Sequence, residues 1–434
     1  MSGAASRLAA AQVLTTALKE RRTLDESLSL TVSFNELTGS DRGFARAMAS
    51  AALRQLGRLK RGLNPFLKRD FDTIDLPVQA LLLVGAAQLW LLDTPAHAGV
   101  SETVSATKSW PQTAKAAGLI NAVLRKAGGD RTGFDAAPIL SVWPDWLADL
   151  AVEKLGQINA EKLALSQTTE PSLHLSVKPG HLDEIEAAFA AEGITTERLS
   201  NFSISVPSGA VGSYPLYDEG KWWVQDIAAG LPAQLLTGGP ERTLVDLCAA
   251  PGGKTMQLAA TGARVYAVDR SRKRLQRLSE NLERTKLTQA VEIIAEDGAS
   301  WTPPQREQID GVLVDAPCSA LGTLRRHPEG AWIKRPDEIA AYFTIQIRLL
   351  EAAMKLVRPG GEVIYCVCSP FQAEGAVIID AALKNTAFAR APIQPGDIQE
   401  FDTCITSAGD LLTLPDEKRP DHDAFFIARL IKEA

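Results

Sequence analysis

The sequence predicts three successive domains: an all-helical front domain, a small α+β module, and an α/β domain built on a doubly wound sheet. Three observations favour this division. Residues 1–135 carry apolar side chains at helical spacing without strand-like alternation. Short alternating stretches appear within residues 140–230. Strand and helix patterns then alternate through residues 231–434, as they do in α/β domains.

The front domain, residues 1–135, combines predicted helices with an excess of positive charge. Residues 1–131 hold 17 Lys/Arg against 11 Asp/Glu, whereas the whole chain has a net charge of −6. A basic front on an acidic protein indicates contact with a polyanion such as RNA, although solvated helix faces also carry such charges. Helices are expected over Ala5–Leu18, from a Ser40–Asp41 cap through Leu56, from Pro77 to Leu92, and over His97–Lys108 and Ala116–Lys126. The basic residues cluster at Arg42, Arg46, Arg54, Arg58, Lys60 and Arg61.

The middle module, residues 140–230, mixes strands and helices. Strands are predicted at Leu173–Val177 and Phe202–Val206, where polar and apolar residues alternate. A helix is predicted to begin near Trp143, and another over His181–Glu192.

The last domain, residues 231–434, has the pattern of a doubly wound sheet. Ligands of such sheets bind beyond the carboxyl ends of the strands, so we look for the site there. Strands are predicted at Thr243–Leu247, Arg264–Val268, Val291–Ala295, Gly311–Val314, Glu362–Cys366 and Ala424–Leu430. The most strongly periodic helices are Ser271–Arg284 and Pro336–Val357.

A glycine-containing turn after the first of these strands predicts a nucleotide-type cofactor. A phosphate-binding P-loop is excluded because Cys248 stands where its first glycine would be required. The pattern is not G-x-G-x-x-G either, so S-adenosylmethionine fits better than a dinucleotide. Single aspartates at strand ends are often only helix caps, but here they recur at successive strands. The predicted cofactor residues are Cys248, Ala249, Ala250, Pro251, Gly252, Gly253, Lys254, Asp269, Arg274, Asp297 and Asp315.

Two cysteine-bearing segments follow later strands, one at Asp315–Cys318 and one at Tyr365–Ser369. A thiolate adds readily to an electron-poor ring and leaves afterwards, which suits methyl transfer to C5 of a pyrimidine. Asp315 is placed to stabilise such an adduct at N3. Spacing alone does not choose between Cys318 and Cys368 as the nucleophile. Free cysteines are most often small buried residues, which is the role expected for Cys404.

Cysteine usage and hydropathy set further limits. Five cysteines without framework spacing indicate a reducing compartment, and a cytoplasmic location is expected. The opening residues are not expected to form a cleavable signal. The stretch Leu76–Leu92 is short for a bilayer and contains Gln79 and Gln88, so no membrane span is predicted. No metal site is predicted, because Cys366-x-Cys368 lacks a second pair of ligands. The sequence does not fix the oligomeric state, and a monomer is the expectation.

Two sets of segments along the chain match known families. In the last domain these segments are DLCAAPGGKT at 246–255, DAPCSALGTLRRHP at 315–328 and YCVCSP at 365–370, with Val224–Asp226 before them. They resemble those of the Sun-type RNA (cytosine-5) methyltransferases.

In the front domain the segments are DRGFAR at 41–46, GAAQL at 85–89, PAHAGVSETV at 95–104 and INAVLR at 120–125. They resemble a NusB-type RNA-binding domain. A NusB-like domain ahead of a Sun-type core is similar to the RsmB branch, whose bacterial members act on 16S rRNA. The resemblance implies a Rossmann-like methyltransferase fold and RNA, most plainly 16S rRNA, as the partner.

The resemblance also implies residue roles. Cys368 would be the nucleophile, and Cys318 would assist product release. Residues 248–254, with Asp269, Asp297 and Asp315, would line the S-adenosylmethionine site. Lys254 would also face the reacting base, and the middle module would guide RNA.

The chain departs from the family pattern at a few positions, and none of them removes a reacting group. Val367 replaces a usual threonine, Ala320 replaces a usual glycine, and Glu374–Gly375 replaces a Glu-Asn pair. They leave the target nucleotide less defined than the chemistry. The alternatives are an enzyme acting on another RNA such as tRNA, or a non-catalytic RNA-binding factor. The intact reacting residues argue against the second.

Overall fold

The computed structural model describes residues 3–304, 308–384, 386–416 and 421–433. These residues form two compact units. One contains the chain up to Glu170 together with Leu324–Pro336, and the other contains Pro171–Thr323 and the chain from Asp337 onward. The sequence-based domain limits remain predictions. What the units add is that a short segment from the second half of the chain belongs with the front helices.

The first unit is helical, as the periodicity predicts. Its helices bury one continuous apolar core in which α1 packs small residues such as Ala9, Ala10 and Val13. Small side chains let helix axes approach closely. The helices are α1 (Gly3–Glu20), α2 (Leu24–Leu30), α3 (Val32–Asn35), α4 (Gly39–Arg54), α5 (Leu56–Leu63), α6 (Leu76–Trp90), α7 (Ala96–Ser109), α8 (Ala117–Ala127), α9 (Thr132–Asp135), α10 (Asp145–Leu155) and α11 (Gln157–Gln167).

The second predicted front helix is wrong in its bounds. Thr38, not Ser40–Asp41, occupies the cap position, and α4 ends at Arg54. Gln55 leaves the helical conformation with φ −127° and ψ 28°, so α5 is a separate helix. Residue type alone does not identify the cap here, because Thr38, Ser40 and Asp41 are all residues that commonly cap helices. The helical backbone begins at Gly39, before Ser40.

Several of the clustered basic residues are committed to internal contacts. Arg54 is 7% exposed, and its guanidinium donates to the carbonyls of Gln167 and Arg325. Burial lowers its pKa to about 10. The Arg58 guanidinium lies 4.4 Å from the centre of the Phe134 ring. The basic cluster therefore stabilises the helical unit as well as charging its surface, and Arg54 is not available to a polyanion.

The segment Leu324–Pro336 is held in the first unit by buried polar contacts. Glu329 Oε1 accepts a hydrogen bond from the Leu24 amide at 3.0 Å, and the Ile333 carbonyl accepts one from Arg21 Nε at 2.7 Å. Trp332, in the short helix α16 (Gly330–Ile333), packs against the front core. Arg325 is only 3% exposed, so it belongs to the interior of this unit.

The second unit begins with a small antiparallel sheet. Helix α12 (Leu182–Ala191) packs on this sheet, and Phe189 and Trp222 lie in the shared apolar core. Trp222 and Trp223 are both buried, so both are core residues. In the order β2-β3-β1-β4, the strands are β1 (Leu173–Val177), β2 (Glu197–Arg198), β3 (Ser203–Val206) and β4 (Trp222–Val224).

The large sheet confirms the predicted α/β domain. Its order is β10-β12-β9-β8-β5-β6-β7, and β5 to β9 run parallel. The strands are β5 (Thr243–Leu247), β6 (Arg264–Val268), β7 (Val291–Ile294), β8 (Ile309–Asp315), β9 (Val357–Val367), β10 (Phe388–Arg390), β11 (Leu411–Thr413) and β12 (Phe425–Lys432). The helices are α13 (Ile227–Leu235), α14 (Gly253–Ala260), α15 (Arg272–Arg284), α17 (Pro336–Leu356) and α18 (Ala376–Ala382).

The strand order reverses at β5, which has β6 on one side and β8 on the other. Such a switch point opens a crevice at the carboxyl ends of the strands. The predicted site residues follow the ends of β5, β6, β7, β8 and β9 and so share this edge of the sheet. Strand β12 pairs antiparallel with β9, a direction that the sequence pattern did not specify. Within the described residues, no helix is both long and apolar enough to cross a membrane.

Candidate active site

The turn after β5 has a backbone that few residues tolerate. Cys248 adopts φ +65° and Gly252 adopts φ +109° before α14 begins at Gly253. A Cβ atom at Gly252 would stand 2.2 Å from Leu278 Cδ1. Only glycine satisfies both the dihedral and the space. The turn is thereby pressed against Leu278 of α15, and the amides of Cys248 and Ala249 donate to the Val268 carbonyl at the end of β6.

Asp269, at the end of β6, fastens this turn. Its Oδ2 accepts a hydrogen bond from the Ala250 amide at 3.2 Å, and its Oδ1 accepts one from the Ser271 amide at 2.8 Å. Arg274 completes the arrangement, because its Nη1 lies 3.4 Å from Asp269 Oδ2 and its Nη2 donates to the Ala250 carbonyl. Asp269 is 3% exposed, so the carboxylate is fixed before any ligand arrives.

A cavity of about 160 Å³ lies beside this turn. Asp269 and Asp297 supply oxygen acceptors for hydroxyl or amino groups, while Ile345 and Leu349 supply apolar walls. The combination suits a flat ring carrying a hydroxylated sugar. The lining residues are Cys248, Val268, Asp269, Arg270, Arg274, Asp297, Gly298, Ala299, Pro317, Ile345, Arg348 and Leu349.

Asp246 is a buried carboxyl directly behind the turn. Thr255 Oγ1 donates to its Oδ2 at 2.6 Å, whereas its Oδ1 is buried without a hydrogen-bond partner among the described residues. Burial raises the pKa of Asp246 to about 7, against the lowering effect of the Thr255 hydrogen bond. A carboxyl in this position is partly protonated near neutral pH.

Lys254 and Asp315 form an ion pair beneath the cysteine segments. Lys254 Nζ lies 2.9 Å from Asp315 Oδ2 and 5.4 Å from the centre of the Phe425 ring. Burial alone would lower the pKa of Lys254, but the Asp315 carboxylate more than offsets this and raises it above its usual value. Asp315 Oδ1 is contacted by the buried Cys366 thiol at 3.5 Å. The Asp315 side chain stays 35% exposed, so it is accessible from the crevice.

The two predicted reacting cysteines meet in space although 50 residues separate them. Cys318 Sγ and Cys368 Sγ are 3.3 Å apart, within hydrogen-bond reach, and both residues are partly exposed. The hydrogen bond to Cys368 and burial raise the pKa of Cys318 well above its ordinary value. Cys318 is therefore held as a neutral thiol beside the second sulfur.

Behind the sulfurs lies a buried carboxylate that sequence reasoning did not place in the site. Glu374 is 1% exposed and accepts hydrogen bonds from Ser319 and Ser369, the residues that follow the two cysteines. Gln346 Nε2 donates to the Pro317 carbonyl at 3.0 Å and lies 3.3 Å from Glu374 Oε1. No local pattern marks this group, because its partners come from three separate segments.

The predicted site residues divide between two neighbouring places. Cys248, Asp269, Arg274 and Asp297 line the cavity, while Ala249 and Ala250 are buried in the turn that forms its wall. Lys254, Asp315, Cys318 and Cys368 form the polar cluster. The residues that sequence reasoning missed are Pro317, Ile345, Arg348 and Leu349 at the cavity, and Ser319, Gln346, Ser369 and Glu374 at the cysteines. The spacing of 345, 348 and 349 on one helix face was the available signal.

Comparison with known families gives two matches along the chain. Residues 233–431 match the model described as "16S rRNA methyltransferase RsmB/F", and residues 4–128 match the NusB family. A relative from Pseudomonas putida, "Ribosomal RNA small subunit methyltransferase B", is 35% identical over 454 aligned positions, covering 99% of this chain and 98% of the relative. A relative of the same name from Xanthomonas campestris is 34% identical, with 90% of each chain covered.

Solved structures agree on the fold. The protein PH0851 superimposes over 100% of this chain and 99% of its own, with a TM-score of 0.78 and 22% identity. NSun6 from Pyrococcus horikoshii, solved with SFG, matches 67% of this chain and 98% of its own at a TM-score of 0.58 and 17% identity. At such identities the likeness speaks for the fold alone.

Proposed function

Because this chain belongs to the 16S rRNA methyltransferase RsmB/F family, we propose that it methylates C5 of a cytosine in 16S ribosomal RNA through a covalent adduct on Cys368. The family makes the chain an RNA methyltransferase that uses S-adenosylmethionine. The position of the methyl group, the adduct and the 16S target are the proposal. The observation that carries it is the pair of sulfurs 3.3 Å apart at the sheet edge that also holds the cofactor cavity.

The residues of the cavity fit S-adenosylmethionine. Asp269 and Asp297 offer acceptors to ribose hydroxyls and an adenine edge, and Ile345 and Leu349 offer an apolar surface to the ring. When bound, the cofactor supplies an electrophilic methyl group. Cys248 and Pro317 stand on the same wall, and Pro317 directly precedes Cys318. This lining supports a binding mode in which the methyl source lies in the same crevice as the cysteine segments.

The chemistry assigned to Cys368 is addition to C6 of the cytosine. The thiolate forms an S–C6 bond, and the electron pair of the C5–C6 double bond makes C5 nucleophilic. Loss of the C5 proton after alkylation re-forms that double bond and expels the thiolate. The target base must leave its stack to reach the sulfur, which costs a few kcal/mol and is cheapest in a loop.

The family resemblance assigns the nucleophile to Cys368, and the electrostatics of Cys318 suit a supporting role for the second thiol. The raised pKa of Cys318 keeps its proton in place, and a neutral thiol is a poor nucleophile. A thiol beside Cys368 Sγ can instead donate to that sulfur when it departs. Cys318 is thus suited to product release, which agrees with the role that the family resemblance implies.

Asp315 and Lys254 are suited to stabilising the adduct. Negative charge moves toward N3 of the ring when the thiolate adds to C6. The partly exposed Asp315 carboxylate, fixed by Lys254 at 2.9 Å, can accept a hydrogen bond from that nitrogen once the nitrogen carries a proton. The ion pair keeps this group oriented before the RNA arrives.

The partner assignments extend the proposal. The NusB-like front domain and the small antiparallel module are proposed to bind RNA, and the protein is proposed to act as a cytoplasmic monomer without a metal ion. Arg42 and Arg46 of α4 and Arg326 are exposed, which supports phosphate contacts at these positions. Arg54 is buried and is not part of this assignment.

Adduct trapping tests the proposed mechanism. Cys368→Ala is expected to abolish methyl transfer and covalent RNA adducts, while Cys318→Ala should accumulate the adduct, seen as an RNA-dependent gel shift that survives denaturation. Cys404→Ala, outside the site, serves as the matched control and should behave as the unaltered protein. The reverse pattern, with adduct lost only in Cys318→Ala, would reverse the roles.

Bisulfite sequencing of ribosomal RNA tests the target. One cytosine of 16S rRNA should resist conversion in cells that carry the gene and convert in cells that lack it. Protection of a tRNA cytosine instead would transfer the activity to another RNA. RNA binding without any methyl transfer from labelled cofactor would favour a non-catalytic binding factor.

A further inference from the structure

We propose that Glu374 is the positioning residue that holds the two cysteine loops in register, and so sets the separation of the Cys318 and Cys368 sulfurs. The effect of this positioning role on catalysis rests on the function proposed above. The effect on the distance between the two sulfurs does not depend on that function. Glu374 touches neither sulfur, and it acts through the residue that follows each cysteine.

The Glu374 carboxylate is a bridge between two loops. Oε1 accepts a hydrogen bond from the Ser319 amide at 2.7 Å, and Oε2 accepts one from the Ser319 hydroxyl at 2.5 Å. The same Oε2 accepts the hydroxyl of Ser369 at 2.6 Å. Ser319 follows Cys318 and Ser369 follows Cys368, so one oxygen is shared by the two cysteine loops.

The bridge is itself fixed by further contacts. Gln346 Nε2 links Glu374 Oε1, at 3.3 Å, to the carbonyl of Pro317, at 3.0 Å. The Tyr365 hydroxyl donates to the Glu374 backbone carbonyl at 2.7 Å. The Glu374 carboxylate accepts hydrogen bonds from two serine hydroxyls, a glutamine side-chain amide and a backbone N–H. A buried carboxylate accepting several such bonds is a rigid junction.

The geometry explains why the sulfurs are paired at all. The loops containing Cys318 and Cys368 follow adjacent strands, β8 and β9, whose pairing extends to Asp315 and Cys366. Beyond that pair, strand pairing no longer fixes the separation of the two loops. The Ala316 amide still donates to the Cys366 carbonyl, and the next link along the loops includes the Glu374 bridge to Ser319. The Gly322 amide also donates to the Cys368 carbonyl at 2.9 Å, and Ser319 Oγ lies 3.4 Å from Ser369 Oγ. Without the bridge, these contacts would hold the two cysteine loops less firmly. The sulfurs would then spend less time in contact.

A disulfide-forming reaction measures that proximity without RNA or cofactor. With glutathione disulfide as oxidant, one cysteine thiolate attacks it and releases one glutathione, and the second thiolate displaces the other glutathione. Two protein thiols become a Cys318–Cys368 disulfide, and one glutathione disulfide becomes two glutathiones. Mass spectrometry of the linked peptides follows the rate in the intact protein.

Glu374→Ala is expected to slow this Cys318–Cys368 linkage at least tenfold. Glu374→Gln, which keeps an acceptor oxygen, should slow it less than threefold. Glu329→Ala is the matched control: Glu329 is equally buried at 1% exposure, and it accepts the backbone amide of Leu24 within the first unit. Equal linkage rates in Glu374→Ala and the unaltered protein would overturn the proposal.

A Ser319→Ala, Ser369→Ala double variant provides the same test should Glu374→Ala fail to fold. It removes the two hydroxyl links and leaves the carboxylate bonded to the Ser319 amide. We expect its linkage rate to fall between those of Glu374→Gln and Glu374→Ala. A rate equal to that of the unaltered protein would count against the bridge.

The catalytic readout separates positioning from simple destabilisation. Glu374→Ala should accumulate the covalent RNA adduct although Cys318 is present, because the release group no longer faces the departing sulfur. A purely structural loss would reduce adduct and product together and would be shared by Glu329→Ala. If no variant, including Cys318→Ala, forms an adduct while the linkage rates still differ, the proposed mechanism fails and the positioning role stands.

Discussion

The cofactor cavity and the cysteine pair lie at the same edge of one sheet but are assembled in different ways. Contacts that shape the cofactor turn join residues 9, 19 and 24 positions apart, as in Thr255–Asp246, Asp269–Ala250 and Arg274–Ala250. Contacts that shape the cysteine pair join residues 50, 55 and 61 positions apart, as in Cys318–Cys368, Ser319–Glu374 and Lys254–Asp315. The first region is built by neighbouring turns, and the second by distant loops.

The two regions are therefore expected to differ in how they respond to substitutions elsewhere in the domain. A turn held by nearby residues keeps its shape when a distant loop is altered. A sulfur pair held by a buried bridge depends on every loop that contributes to it. Substitutions in the turn should therefore affect cofactor affinity or stability, whereas substitutions in the bridge should affect the chemistry at the sulfurs.

Asp315→Asn is expected to have the largest effect, because Asp315 stands between the two regions. It should reduce methyl transfer by about 10²–10³-fold, which is about 3–4 kcal/mol in the barrier, with little change in cofactor affinity. Single-turnover kinetics and calorimetric titration would measure the two quantities. Asp310→Asn, on the same strand but bonded to Arg358, is the control. A matching loss there would mean that the effect is structural.

Gly252→Ala tests the backbone of the turn. The substitution places a Cβ 2.2 Å from Leu278 Cδ1 at φ +109°, so we expect a loss of about 2–4 kcal/mol in the free energy of unfolding. Chemical denaturation measures it. Gly396→Ala, also at positive φ but with open space around its Cβ, should cost less. Equal losses would remove the steric argument.

Asp269→Ala tests whether the two regions are separable. Loss of this acceptor should weaken S-adenosylmethionine binding about 10–50-fold, or roughly 1.5–2.5 kcal/mol. The Cys318–Cys368 linkage rate should stay within twofold of the unaltered protein. Titration calorimetry and the linkage assay decide the matter. A large change in linkage rate would show that the turn and the cysteine pair are one cooperative unit.

Asp246→Asn is expected to have the smallest effect, and one that depends on pH. The folded pKa of about 7 lies above the ordinary value of 3.8, so ionisation is costlier in the folded state. This contribution to stability is fully present below about pH 4 and is lost as pH rises through 7. The variant should therefore gain stability relative to the unaltered protein as the pH rises from 5 to 8. Melting curves at both pH values would check it, and an equal gain at both would exclude the titration.

Much of this protein was determined by its sequence alone. The strands Thr243–Leu247 and Arg264–Val268 have the predicted bounds, because buried parallel strands need continuous apolar residues and turns need Gly or polar residues. The strand ends then placed Cys248, Asp269 and Asp297 together, since parallel strands end at one edge. Contacts between residues that are close in sequence can be predicted from the local residue pattern.

Other features of the fold and of the site could be seen only in the tertiary structure. It separated α4 from α5, buried Arg54, and put Leu324–Pro336 among the front helices. It also brought Cys318 to Cys368 and placed Glu374 behind them. The physical reason is that a buried carboxylate or arginine is tolerated only where donors or acceptors converge from distant segments. That convergence follows from packing of the whole chain, which no local spacing encodes.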